Sequence, residues 1–77
     1  MGTQAYDVVV RRIATGCDYH MHLFAKDAEA ATASATNRAR FAIHMTRIRM
    51  ATLEACGVAV FRVVSCEVSP NQTRPIA

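Results

Sequence analysis

The alanine-rich run between Lys26 and Gly57 constrains this chain more than any other segment. Lys26-Asp27-Ala28-Glu29 offers a capping aspartate with an acid in the first turn, which complements the helix dipole, and Gly57 suits the left-handed position that follows a helix end. An unbroken helix over this run would hold about 28 residues and measure about 42 Å at 1.5 Å per residue. A flanking strand reaches only about 25 Å. One straight helix would overhang its sheet, and the weak helix formers Thr32, Ser34, Thr36 and Asn37 place the expected kink or short loop near Thr36-Asn37. Arg40 to Arg49 also alternates in places, with Phe41, Ile43 and Met45 on one side, so a strand competes with the helix there.

The segments on either side read as strands. Tyr6, Val8 and Val10 share one face of the first, while Val9 and Ile13 share the other with Asp7 and Arg11. Gly16 and Asp18 are turn formers, so Tyr19 to Ala25 returns as the second arm of a hairpin, with Tyr19, Met21, Leu23 and Ala25 as its core face. In the last strand, Val58 to Val68, the expected core face is Val58, Val60, Val64, Cys66 and Val68, with Ala59, Phe61 and Val63 opposite. Ser69-Pro70 stops it, and 70–77 is expected to be a polar tail beyond an ordered core of about 5–69.

The resulting order, β-β-α-β, predicts an α+β domain: a three-stranded antiparallel or mixed sheet in order 2-1-3, with one long, kinked or broken helix on one face. At 77 residues the chain holds one small domain. Val9, Ile13, Phe24, Phe61 and Val63 fall on the uncovered side, and that much exposed apolar surface implies a second layer. Self-association or a protein partner is the expected source of that layer.

Composition excludes several classes. Hydrophobic residues make up 52% and charged residues 19%, too apolar for intrinsic disorder, and no apolar run nears the roughly 18 residues of a membrane span. Gly2-Thr3-Gln4-Ala5 carries no basic or apolar leader signal, and three cysteines cannot all pair within one chain, so reduced thiols in a cytoplasmic setting are expected. The glycines at 2, 16 and 57 form no phosphate-binding loop, and no Cys–His pair or carboxylate pair stands at catalytic spacing, so no enzyme and no cofactor is expected. Asp18-Tyr19-His20-Met21-His22 resembles the D-x-H-x-H entry strand of amidohydrolase-like metal hydrolases, but that site needs a barrel of roughly 200 residues or more, and no metal site is expected.

What is left is basic. Nine Lys+Arg stand against six Asp+Glu, and eight of the nine cations are arginine, suited to planar contacts with carboxylate or phosphate. A GC-rich coding sequence would give the same bias. On one continuous helix Arg40, His44 and Arg47 follow i, i+4, i+7 and form a stripe, with Arg38 and Arg49 on a second line. These three, with Arg11 and Arg12 on the hairpin, are the candidate partner-binding residues; a solvated helix face is the commoner explanation for spaced arginines.

In layout, a β-hairpin followed by the helix entry Ala25-Lys26-Asp27-Ala28-Glu29-Ala30-Ala31 and a valine-rich last strand resembles small proteins of phages and mobile elements, including type I anti-CRISPR proteins. The resemblance implies a non-catalytic inhibitor, acting in a bacterial host cell, that docks on a CRISPR surveillance complex and blocks DNA binding or nuclease recruitment. The positive charge departs from acidic, DNA-mimicking inhibitors and points the arginines at acidic or RNA-bearing surfaces. A small nucleic-acid-binding or regulatory protein is the alternative, and a homodimeric α+β domain the third.

Overall fold

A computed structural model describes residues 2–72. Five elements follow in order: β1 (Gln4–Arg12), β2 (Asp18–Ala25), α1 (Ala28–Ala42), α2 (Arg47–Ala55) and β3 (Phe61–Val68). The sheet has the expected order β2-β1-β3, with β1 central and antiparallel to both neighbours. The hairpin turn uses Gly16 at φ 72°, where a side chain would be strained.

The core lies between the sheet and α1. Tyr6, Val8 and Val10 meet Leu23 and Ala25 on one face, as the alternation predicts, and Ala31, Ala35 and Ala39 of α1 close over them at 0% exposure. Recurrence every fourth residue puts these alanines on one helix face, and side chains of one methyl let the helix backbone lie close to the strands. Tyr19, Met21, Phe61 and Cys66 ring this core half-buried. Val8 and Val10 are its largest fully enclosed side chains, so the core is thin.

Two expectations about the helical run need correction. There are two helices, not one long kinked one, and the break lies at 43–46, not at Thr36-Asn37. Thr36 lies within the helix, its hydroxyl donating to the Thr32 carbonyl at 2.9 Å, a back-bond that a helix accommodates with at most a slight bend. Asn37 is occupied by the Arg40 guanidinium, 2.7 Å away. The helix instead stops at His44, which takes φ 56°. His44 N–H donates to Phe41 C=O at 3.0 Å and Met45 N–H to Arg40 C=O at 3.1 Å, the paired bonds of a Schellman stop. Thr46 then caps α2 by accepting from Arg49 N–H at 3.1 Å. Asp27 caps α1 in the same way at 2.8 Å, as expected, and α2 ends in a second Schellman stop on Gly57 at φ 83°.

The third strand also departs from its expected faces. It begins at Phe61, and between Val9 and Val10 its register shifts: Val9 pairs with Ser65 but Val10 with Val63, leaving Val64 as an extra residue. Such a bulge reverses the alternation on either side of it. Phe61 and Val63 therefore belong with the covered face, and Phe61 meets Tyr19 edge to face at 6.4 Å. Val58 and Val64, expected inside, are 49% and 41% exposed, while Val60 is buried as expected.

The uncovered face is correspondingly more polar than expected. Across it run the rows His22–Asp7–Glu67, His20–Val9–Ser65 and Asp18–Arg11–Arg62. The expected apolar second surface is reduced: Phe61 and Val63 belong to the covered side, while Val9 and Phe24 stay on the open face, Phe24 against His22, and Ile13 is 48% exposed. Beyond β3, Gln72 bonds back to β1: its carbonyl accepts from Ala5 N–H at 2.6 Å and its amide donates to Ala5 C=O at 3.1 Å. Gln72, expected in a polar tail, thus continues the contact with β1; the rest of that tail, 73–77, lies outside the described residues.

The left-handed turn gives a direct test. Substituting His44→Ile, a β-branched residue poorly suited to positive φ, is expected to cost about 1–2 kcal/mol, whereas His44→Gly is expected to match or exceed the parent. Denaturant midpoints of the three proteins check this ordering.

Candidate functional site

Functional candidates collect at the α1–α2 corner, and Arg40 organises it. Its side chain is 6% exposed. One guanidinium nitrogen donates to Met45 C=O and another to Asn37 Oδ1, both at 2.7 Å, and the group lies 4.4 Å from the Phe41 ring centroid. The same two residues, Arg40 and Met45, are also joined through their backbones. Arg40 is thus a structural clasp on the corner. The sequence makes it a partner-binding candidate on a stripe with His44 and Arg47; that stripe needs a continuous helix, and the positive φ of His44 breaks its phase.

The two helices diverge from this corner. α1 packs against all three strands, whereas α2 packs extensively against none and buries no residue. Between them opens a cleft of about 350 Å³. Ala33, Thr36, Asn37 and Arg40 form the α1 wall; Arg47, Met50, Ala51 and Glu54 form the α2 wall. Both rows follow i, i+3, i+4, i+7, the signature of one helix face. Arg40 and Arg47 do come together here, at the corner end of the cleft, with Glu54 at the far end of α2.

The outer side of α2 is a second surface. Thr46, Ile48, Arg49, Thr52 and Leu53 surround a shallow hollow there. Ile48 is 80% exposed and Phe41, near the end of α1, 63%. Arg38, Arg47 and Arg49 are exposed, and none forms an ion pair among the described residues. Sequence reasoning missed Ile48 and Phe41. Phe41 was seen only as part of an alternating segment, and Ile48 has a periodicity compatible with burial, so nothing local marked either as exposed.

The hairpin candidates stand apart from this corner. Arg11 is held by Asp18 across the β1–β2 register, Nε to Oδ1 at 2.7 Å and a second guanidinium nitrogen to Oδ2 at 3.2 Å. Hydrogen bonding from Arg11 holds the Asp18 carboxyl below its ordinary range, and the same bond raises the Arg11 pKa. Arg12 is half-buried at the end of β1, opposite Phe61. On the open face His22 Nδ1 donates to Asp7 Oδ1 at 2.9 Å. Among the described residues no three His, Cys, Asp or Glu side chains gather at metal-binding range. Cys17, Cys56 and Cys66 carry no disulfide, and among the described residues no helix is long and apolar enough to cross a membrane.

Comparison with known proteins finds no matching family model, no matching curated sequence and no matching solved structure.

Two outcomes test these assignments. Arg40→Ala removes two charged hydrogen bonds from a buried position and is expected to destabilise by about 1.5–3 kcal/mol, while Arg38→Ala on the exposed face of α1 is expected to stay within about 0.5 kcal/mol; urea unfolding compares them. For Asp18, the depressed pKa means that its bond to Arg11 favours folding above the ordinary carboxylate range and ceases to do so as pH falls through the lowered value. Carboxyl-carbon NMR titration should find Asp18 titrating below the ordinary carboxylate range, and Arg11→Ala should raise it back toward that range.

Proposed function

We propose that this protein is a non-catalytic protein-binding module that engages its partner through the outer face of α2 together with Phe41. The observation that carries this reading is Ile48: a large apolar side chain, 80% exposed, on a helix that buries no residue of its own. Exposed apolar groups next to arginine match the composition of interface anchors, where a central hydrophobe is desolvated and arginine gives directional contacts at the rim. Arg38 and Arg49 supply those cations here and suit a partner with acidic patches.

The layout resemblance gives this reading its concrete form, a phage-encoded inhibitor that docks on a type I CRISPR surveillance complex in the bacterial cytoplasm and blocks DNA binding or nuclease recruitment. Size, the α+β layout and the protruding helix support it. Arg40 is withdrawn from the contact set because the corner uses its guanidinium, and Arg11 because Asp18 holds it. A direct nucleic-acid reading draws on Arg38, Arg47 and Arg49, which lack carboxylate partners among the described residues.

Capture by purified type I surveillance complexes, with a short DNA duplex as parallel bait, separates the two readings. The expected result is retention on a complex, weakened at least about tenfold by Ile48→Asp, the loss typical of a central interface anchor, in a variant whose circular dichroism matches the parent. Retention on DNA alone, falling steeply as salt rises, would replace the protein-binding reading with the nucleic-acid one.

A further inference from the structure

α2 is charged against its own dipole. Its first turn carries Arg47 and Arg49 with no acid, and its last turn carries Glu54 with no base. A helix favours the opposite arrangement, acid at its start and base at its end. α2 is also only nine residues long and buries none of them. Helices of that length are marginal unless packing supports them, yet its cleft side, Arg47, Met50, Ala51 and Glu54, faces about 350 Å³ of open space.

These features have one common solution in a second copy of the chain. A two-fold axis passing between positions 50 and 51 lays two α2 helices antiparallel, and the register then sets Met50 against Ala51 of the other copy and Arg47 against Glu54 of the other copy. The apolar pair fills the centre, large against small. The charges meet at both ends, twice over by symmetry. Each Glu54 carboxylate arrives at the start of the opposing helix, near Arg47 and the Arg40 end of the cleft, and each Arg47 arrives at the opposing helix end. The pairing therefore supplies the dipole compensation that α2 lacks. Neither Arg47 nor Glu54 has an ion-pair partner among the described residues, so both are free to make it.

We propose that this cleft is the site of an isologous homodimer in which the α2 helices pair antiparallel about positions 50 and 51. The outer face with Ile48 and Arg49 stays accessible in such a dimer, so this proposal stands apart from the partner-binding reading, and the two can fail separately.

Sedimentation equilibrium on the full chain tests it without reference to any other partner. The wild type is expected to be a concentration-dependent dimer. Arg47→Glu and Glu54→Arg, each alone, should raise the dissociation constant at least about tenfold, because each places like charges opposite one another at both ends. The combined Arg47→Glu/Glu54→Arg variant should recover to within a few-fold of the wild type, a rescue that general destabilisation of α2 would not produce. A wild-type chain that stays monomeric up to about 1 mM, where association would contribute little more than about 4 kcal/mol, would overturn the proposal. So would a dimer indifferent to both single changes, or single losses that the combined change fails to restore.

Discussion

The close seating of α1 on β1 sets the terms for the rest of this molecule. Ala31, Ala35 and Ala39 present only methyl groups to Val8 and Val10, so helix and sheet approach closely and little volume lies between them. A seam of this kind excludes water well but buries modest area, roughly 25 cal/mol for each Å² of apolar surface. α1 already packs against all three strands on this face. The continuation of the chain must go elsewhere, and it goes outward.

How it turns outward depends on the corner at Arg40. Its backbone carbonyl accepts from Met45 N–H while its guanidinium donates to Met45 C=O, so one residue closes the turn from both sides. Asn37 holds the guanidinium from one turn earlier. A cation that would ordinarily serve as a surface contact is thereby committed to structure. The cations left exposed beside an unpacked helix, Arg38, Arg47 and Arg49, and the exposed Ile48 and Phe41, follow from that divergence of α2 from the sheet.

Much of the fold is legible in the sequence. The strand order, the core faces of β1 and β2, the Asp27 cap and the Gly57 stop each rest on local rules: period-two alternation, an acceptor at the first turn, a residue free to take positive φ. Two features resisted the same rules for physical reasons. The α1 stop uses histidine in a conformation usually signalled by glycine or asparagine, and the weak formers Thr36 and Asn37, which drew attention, are both satisfied inside the helix. The bulge at Val64 exchanges faces within one strand, so a single alternating pattern misassigned Phe61 and Val63 and made the open face look more apolar than it is. The candidate site suffered most, because its stripe of Arg40, His44 and Arg47 assumed one continuous helical phase.

The amino-acid sequence by itself determined the element types, their order and the antiparallel hairpin, since these follow from periodicity and turn chemistry within a few residues. Only the tertiary structure decided which arginines are free, on which face Phe61 and Val63 lie and where an unpacked helix leaves a cleft. Those outcomes depend on contacts between distant segments: Val64 against β1, Gln72 against Ala5, and α2 displaced from a sheet already covered by α1. No local pattern encodes them, because each is a competition for space and hydrogen bonds that exists only once the chain has closed on itself.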